Sequence, residues 1–478
     1  IKIRMAQKSK RPREGDIYRS VDDKGDGDGF DNRWICPFGE KDIQEIKSGN
    51  PMFARGGFGE LTIALRRNRN PSSSPSSNGG EKGGTGYSLV AVKTIHNAII
   101  TCRGSGNRFG IGSFGGFQGN QNEQEKLSRE VLNELLALRV LQSHPNIVPL
   151  VAVYSKGSPS LSLAFPYCPM DLREILEVRR RNFRQPLAFR FIKTILQDAF
   201  EAIAHCHNNR ILHGDIKPGN LLVSSKGIIQ LCDFGLATPW HSFDKKKEEK
   251  EQQTVEQFSN TNIDKGLCTL HFRPPEVLLG GPSDHPSVDS WSTGVVITCL
   301  VLGKTLWQGR NVIDQLTLLY GSLGTPDETS WPLVKTLPDY GKLNFGSKAP
   351  KKWQNVLARA AECPALLDLT SNLLILNPER RLTAREALDH VWLKQNNGEV
   401  PSSSAGADYE QRHRELRDEL LLPSADLQAH PLLFPENGVL VEKIGLKIAT
   451  ARRSLGSVSS KEWQGPTLDL SALAGLRE

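Results

Sequence analysis

A chain of 478 residues has room for about three domains at roughly 100–200 residues each, and with 38% hydrophobic and 24% charged residues it is neither wholly disordered nor a small disulfide scaffold. Lys+Arg 60 against Asp+Glu 53 leave a charge of +7, too mild to call for nucleic acid or a membrane surface as partner and equally suited to an acidic small ligand. The 8 cysteines form no CxxC pair and no Cys/His cluster at metal-ligand spacing, which points to reduced intracellular thiols without disulfides or a structural zinc.

The chain begins on Ile1 without an apolar signal-peptide region, so secretion has no support and the natural start is left open. Residues 1–42 read as a flexible segment, first basic and then Asp/Gly-rich, and the run from Lys8 to Arg13 is at best a weak nuclear-import signal. The stretch from Asp22 to Asp28 fails as a calcium loop, because a ligand position falls on Lys24 or Gly25 and the closing Glu is missing. Two low-complexity insertions, 68–86 (Pro/Ser/Gly) and 103–121 (Gly/Phe), interrupt a domain without ending it, since patterned segments resume after each.

Between the insertions, Leu89 to Ile95 is a β-branched strand. Leu127, Val131, Leu135 and Leu138 recur at the spacing of one helix face and predict a helix over Glu125–Leu141. Beyond residue 170 helices are expected at Leu172–Arg181, Ala188–His207, Val288–Leu302, Asp314–Leu323 and Ala384–Leu393. The longest apolar run, Val295 to Leu302, is interrupted by Thr298 and is too short for the roughly 20 residues of a membrane-spanning helix. The fold class is α+β, a small strand-rich half before a larger helical one.

Ala54-Arg55-Gly56-Gly57-Phe58-Gly59 lies between two short apolar stretches, where a glycine-rich turn lets backbone N–H groups approach phosphate oxygens. Alone it is no stronger than an ordinary hairpin, and it is neither a Walker loop, lacking the Lys-Ser/Thr, nor a dinucleotide fingerprint, because a strand follows. Lys93, closing the apolar strand Val90-Ala91-Val92, is either a snorkelling end residue or a phosphate contact held by a helix carboxylate.

His213-Gly214-Asp215-Ile216-Lys217-Pro218-Gly219-Asn220, followed by Leu231-Cys232-Asp233-Phe234-Gly235, resembles the catalytic loop and metal-binding Asp-Phe-Gly of eukaryotic protein kinases. The resemblance implies a bilobal fold, with an N-lobe at 43–165, a C-lobe at 169–394 and an activation-segment insertion at about 240–262, leaving 395–478 as an extension of unknown role. It implies ATP and Mg²⁺ as cofactors, with Asn220 and Asp233 as metal ligands, Asp215 as the carboxylate that accepts the substrate hydroxyl proton, and Lys217 steadying the transferred group as in Ser/Thr kinases. Lys93 then needs a helix glutamate. Glu130 and Glu134 share a face, so periodicity leaves both open, while the distance to His144-Pro145-Asn146 favours Glu134.

Phe165-Pro166-Tyr167-Cys168 resembles the hinge between lobes, offering adenine the Pro166 carbonyl and the Cys168 backbone; Leu61, Ala91 and Leu222 would sandwich the base and Asp171 reach the ribose. Ala54, Gly56, Gly57, Phe58 and Gly59 would cover the phosphates. Leu270-His271-Phe272-Arg273-Pro274-Pro275-Glu276 resembles the end of an activation segment, with Cys268, Thr269 and Arg273 in the substrate loop and Glu276 paired to Arg381. Leu323-Gly324-Thr325-Pro326-Asp327-Glu328 with Trp331-Pro332 is similar to the cyclin-dependent kinase group, particularly its cell-cycle-related and CDK-activating-kinase-like branches. That group implies Ser/Thr-Pro substrates and leaves a cyclin-like partner open, in the nucleus or cytoplasm, with no nucleic acid and no membrane.

Gly214, Thr238 and Asn133 stand where basic residues would gather a phosphothreonine, and Asp264 stands at that residue's own place. An active kinase independent of activation-loop phosphate is therefore expected; the alternative is a pseudokinase scaffold, suggested by Ala54, Gly214 and the enlarged segment.

Overall fold

The computed structural model describes residues 43–45, 55–56, 59–67, 87–96, 98–102, 124–157, 160–181, 186–240, 268–394 and 405–421. The N-terminal segment to residue 42, expected to be flexible, lies outside them, as do Ala54, Gly57, Phe58, both insertions of the first half, Asp264 and the activation-segment insertion beyond Trp240. The chain divides into two units, one formed by residues 1–128, 151–165 and 448–478 and the other by 129–150 and 166–447.

The smaller unit is built on antiparallel strands: β1 (Ile43–Glu45), β2 (Arg55–Gly56), β3 (Gly59–Arg67), β4 (Tyr87–Ile95), β5 (Ile99–Cys102), β6 (Gln124–Leu127), β7 (Ala152–Gly157) and β8 (Ser160–Pro166). The main sheet runs β1-β3-β4-β8-β7, with β2 folded back on β3 so that Gly56 opposes Gly59. Alternation in β4 sends Val90 and Val92 into a core with Ala64, Ala152, Tyr154 and Ala164, while Ala91 and Lys93 take the other face beside their cross-strand partners Ile63 and Leu61.

One expectation fails here. Residues 124–127 do not begin a helix; they form β6, paired with β5 in the register Ile99↔Leu127, and Ser128 N donates to Ala98 O at 2.7 Å. Helical spacing of Leu127 with Val131 was fortuitous, because the backbone groups of this segment find partners in a strand more than twenty residues earlier, a choice that apolar periodicity does not encode.

The larger unit opens with α1 (Arg129–Leu141), which has Glu130 in its first turn and Arg139 in its last, the order that the helix dipole favours. It continues through β9 (Met170–Asp171), α2 (Leu172–Arg181), α3 (Phe189–Asn208), β10 (Ile211–Leu212), β11 (Leu221–Val223), β12 (Ile229–Leu231) and β13 (Thr238–Pro239). After the undescribed stretch come α4 (Ser287–Leu302), α5 (Val312–Leu323), α6 (Pro364–Leu373), α7 (Ala384–Asp389), α8 (Val391–Lys394) and α9 (Ala405–Leu421). The helix α4 is buried nearly all round and ends on Gly303 at φ +70°, whose N–H returns to Cys299 O at 2.8 Å. No helix among the described residues is long and apolar enough to cross a membrane.

The expected helix Ala384–Leu393 is two helices. Thr383 and Glu386 form a capping box at the start of α7, but His390 is extended, its Nε2 paired with Asp368 Oδ2 at 2.9 Å and its Nδ1 accepting from Trp392 N at 3.2 Å. A tertiary partner and a new cap together outweigh one more helical bond.

Beyond residue 394, α9 packs on the helical unit through Leu416, Leu420 and Leu421, all buried, and places His413 Nε2 against both oxygens of Asp198 at 3.1 and 3.0 Å. Gly227, in the turn between β11 and β12 at φ +83°, is required there, because a Cβ would run into the His413 carbonyl.

Candidate active site

The loop around Asp215 is fixed from below by one buried carboxylate. Asp289, in the first turn of α4, accepts from His213 N at 3.0 Å and Gly214 N at 2.9 Å, and its Oδ2 meets His207 Nε2 at 2.9 Å. Complete burial works to raise its pKa, but the hydrogen bond and charge of His207, with those of His213, hold the carboxyl below its usual range. The His213 ring bonds Cys232 O at 2.9 Å, accepts from Asp215 N at 3.2 Å and sits edge-on to Phe234 at 4.9 Å. Gly214 takes φ +76°, and Leu236 O lies 3.1 Å from where its Cβ would be, so any other residue would be strained.

On this base the Asp215 carboxylate gathers four donors. Its Oδ1 accepts from Thr269 N at 3.0 Å and Thr269 Oγ1 at 2.7 Å; its Oδ2 accepts from Lys217 Nζ at 2.6 Å and Asn220 Nδ2 at 3.3 Å. Lys217 Nζ also reaches Thr269 Oγ1 at 3.0 Å, and Asn220 Nδ2 bonds Asp215 O at 2.8 Å. The amide nitrogen of Asn220 is thereby committed to Asp215, leaving its oxygen as the atom for a cation. Asp233 precedes a short 3-10 turn with φ +63° and ψ +73°, a conformation rare outside glycine, held by a fully buried Phe234. The donor set therefore fits a hard cation: one amide oxygen and one carboxylate, with no cluster of three or more His, Cys, Asp or Glu among the described residues, so further ligands would be phosphate and water oxygens.

Arg273 Nε and Nη2 both donate to Cys268 O, at 3.1 and 2.8 Å, fixing the backbone just before Thr269. Burial pushes the Cys268 thiol up to about 12, which keeps it protonated and unreactive. Glu276 and Arg381 form the expected pair, bidentate at 2.6 and 2.7 Å and buried, with Arg381 also donating to Ile375 O, Ser287 O and Leu376 O and lying over the Trp291 ring.

The residues read as nucleotide contacts fall in both units. In the smaller, Leu61 pairs directly with Lys93 and Ala91 shares that face. In the larger, Leu222 pairs with Asp171, whose Oδ1 caps α2 by accepting from Glu174 N at 2.8 Å; Pro166 closes β8, and Cys168 Sγ donates to Gln230 Oε1 at 3.8 Å, its thiol raised to about 12 by burial. Of the two glutamates on α1, Glu134 is 2% exposed whereas Glu130 is exposed, so the position that spacing favours is also the one whose carboxylate needs a partner. Sequence reading missed His207 and the role of Asp289. The available signal was an Asp in the first turn of an otherwise uncharged helix, a position that must be paired if buried.

Known proteins agree with this geometry. The model of the protein kinase domain matches residues 118–393, more than half of the chain. The chain belongs to the protein kinase family. The glycine-rich turn and Lys93 lie before the matched residues of that kinase model, and their assignment rests on the strand order. Among relatives, cyclin-dependent kinase 20 of Mus musculus is 34% identical over 269 residues, covering 56% of this chain and 71% of its own. The Homo sapiens protein of the same name is 33% identical over the same length, with the same coverage. A chain in the structure of the CAK complex from Chaetomium thermophilum bound to ATP-gamma-S superposes with a TM-score of 0.55 at 26% identity, covering 75% of this kinase and 93% of that chain. This kinase is thus of the cyclin-dependent-kinase-like group, a bilobal α+β protein serine/threonine kinase that uses ATP.

Proposed function

We propose that the chain transfers the γ-phosphoryl group of ATP to Ser or Thr hydroxyls that precede proline, and that it does so without phosphate on its activation segment. The observation that carries this reading is the Asp215 carboxylate, oriented by Lys217, Asn220 and Thr269 on a base held by Asp289. Asp215 takes up the substrate hydroxyl proton as the oxygen attacks; Lys217, shared between Asp215 and Thr269, neutralises charge on the transferred group. Asn220 and Asp233 would hold Mg²⁺, which supplies charge neutralisation at the phosphates when bound. The kinase resemblance assigns Lys93 and Glu134 to positioning the nucleotide, and Leu61, Ala91, Pro166, Cys168, Asp171 and Leu222 to its base and sugar.

Arg273 donates twice to Cys268 O, which would occupy that carbonyl and withhold it from a following substrate N–H, and proline has no N–H to strand. Asn133, Gly214 and Thr238 occupy the positions where arginines would bind a phosphothreonine, so phosphate on the segment has few partners. The test is the full chain, purified alone and assayed with Mg-ATP on a Ser/Thr-Pro peptide array, before and after phosphatase treatment followed by intact mass. Transfer that persists within about threefold after dephosphorylation supports the reading. Loss of about tenfold or more together with loss of a phosphate between Thr238 and Thr269 refutes it, and activity that appears only with an added cyclin-type subunit assigns the ordering to a partner.

A further inference from the structure

The geometry points to Trp240 as a positioning residue that fastens the start of the activation segment to the catalytic loop, where a phosphate bound by arginines would otherwise do so. It rests on the kinase reading and gives the phosphate-independent part of that reading a physical agent. Trp240 follows β13, whose Thr238 pairs with Leu212 of β10. Its backbone N–H donates to Arg210 O at 3.1 Å, its indole Nε1 donates to His207 O at 3.2 Å, and the Arg210 guanidinium lies 4.4 Å over its ring.

Each contact falls on the segment that leads into Asp215. His207 lies in the last turn of α3, and its carbonyl, which already accepts from Arg210 N at 3.1 Å, takes the Trp240 indole as a second donor on its other lone pair. Arg210 is held at φ +59°, an uncommon state for a residue with a side chain, which persists only where neighbours over-determine it; the Trp240 N–H and ring do so from one side. From His207 the link continues through its own imidazole to Asp289 Oδ2 and from Asp289 to the His213 and Gly214 amides, immediately before Asp215. Tryptophan combines a donor at that reach with a wide π face; phenylalanine would keep the face and lose the donor. The far end of the same segment is tied independently, by Thr269 to Asp215 and Lys217. Both ends are therefore tied to the catalytic loop and its approach by contacts within the chain.

The experiment uses the full chain with Trp240→Ala and Trp240→Phe, read by amide hydrogen exchange of the peptide spanning 207–215 and by steady-state kinetics. Exchange at the His213 and Gly214 amides should quicken about tenfold or more in W240A and by a smaller factor in W240F, and kcat toward a Ser-Pro peptide should fall in that order while the KM for ATP stays within about twofold. A W240A chain whose amides exchange at the parent rate overturns the inference whatever its activity. Should W240A unfold, W240F decides by the same exchange measurement, parent-like rates again overturning it. Because exchange needs no catalysis, a parent chain that phosphorylates nothing would refute the kinase reading and leave this result standing on its own.

Discussion

Replacing Asp215 by asparagine removes one negative charge and turns one oxygen into a donor, and the geometry fixes which contacts suffer. The amide oxygen can keep the Oδ1 place, where Thr269 N at 3.0 Å and Thr269 Oγ1 at 2.7 Å continue to donate. The new NH₂ then faces Lys217 Nζ at 2.6 Å and Asn220 Nδ2 at 3.3 Å, both donors. One charge-assisted bond worth about 1.5–3 kcal/mol is lost, yet Lys217 retains Thr269 Oγ1 at 3.0 Å and the loop retains its Asp289 anchor, so the fold should survive. The chemical loss is larger, since removing a positioned proton acceptor costs about 10²–10⁴ in rate. In a coupled assay with a Ser-Pro peptide, D215N should lose kcat by that factor with the KM for ATP changed less than about twofold, whereas D233N should lose Mg-dependent ATP binding. A D215N enzyme that keeps more than about a tenth of the parent kcat, or one that loses ATP binding as D233N does, would refute the assigned roles.

Further outcomes are expected. Glu276→Ala strands the Arg381 guanidinium in the interior and should cost about 3–5 kcal/mol in urea unfolding; a cost below about 1 kcal/mol would show that the carbonyl partners of Arg381 suffice. Ser-Pro peptides should outrun Ser-Ala peptides by about 5- to 100-fold, the worth of one stranded N–H, and Arg273→Ala should narrow that ratio; equal rates in the parent would count against proline direction. Burial works to lower the pKa of His413, but the hydrogen bond and charge of Asp198 with the Tyr409 carbonyl outweigh it and raise the value above 6.5. A raised folded value means that the contribution of His413 to the docking of α9 is full below about pH 6.5 and is lost as pH climbs through the folded pKa. Exchange across 405–421 should therefore be faster at pH 8.5 than at pH 6 after correction for intrinsic rates, and His413→Ala should remove the difference; a parent with no pH dependence would refute the coupling.

The loop chemistry was legible because its parts are close in sequence. Asp215, Lys217 and Asn220 lie within one turn, and the backbone bond from Cys232 N to Asn220 O brings Asp233 beside them across a short hairpin. Glycine at 214 was legible as a departure, and its left-handed φ gives the departure a backbone reason.

Amino-acid pattern alone also determined most of the helices and the strand carrying Lys93, since amphipathic spacing and β-branched runs act locally. Tertiary structure decided what local pattern leaves degenerate. It made β6 a strand by offering it β5, split the helix at His390 through Asp368, buried Glu134 while exposing Glu130 one turn away, and docked α9 by joining His413 to Asp198, 215 residues earlier. The physical reason is the same in each case: a backbone group or a charged side chain leaves water only where a partner compensates for its desolvation, and that partner is supplied by a remote part of the chain whose position the fold sets.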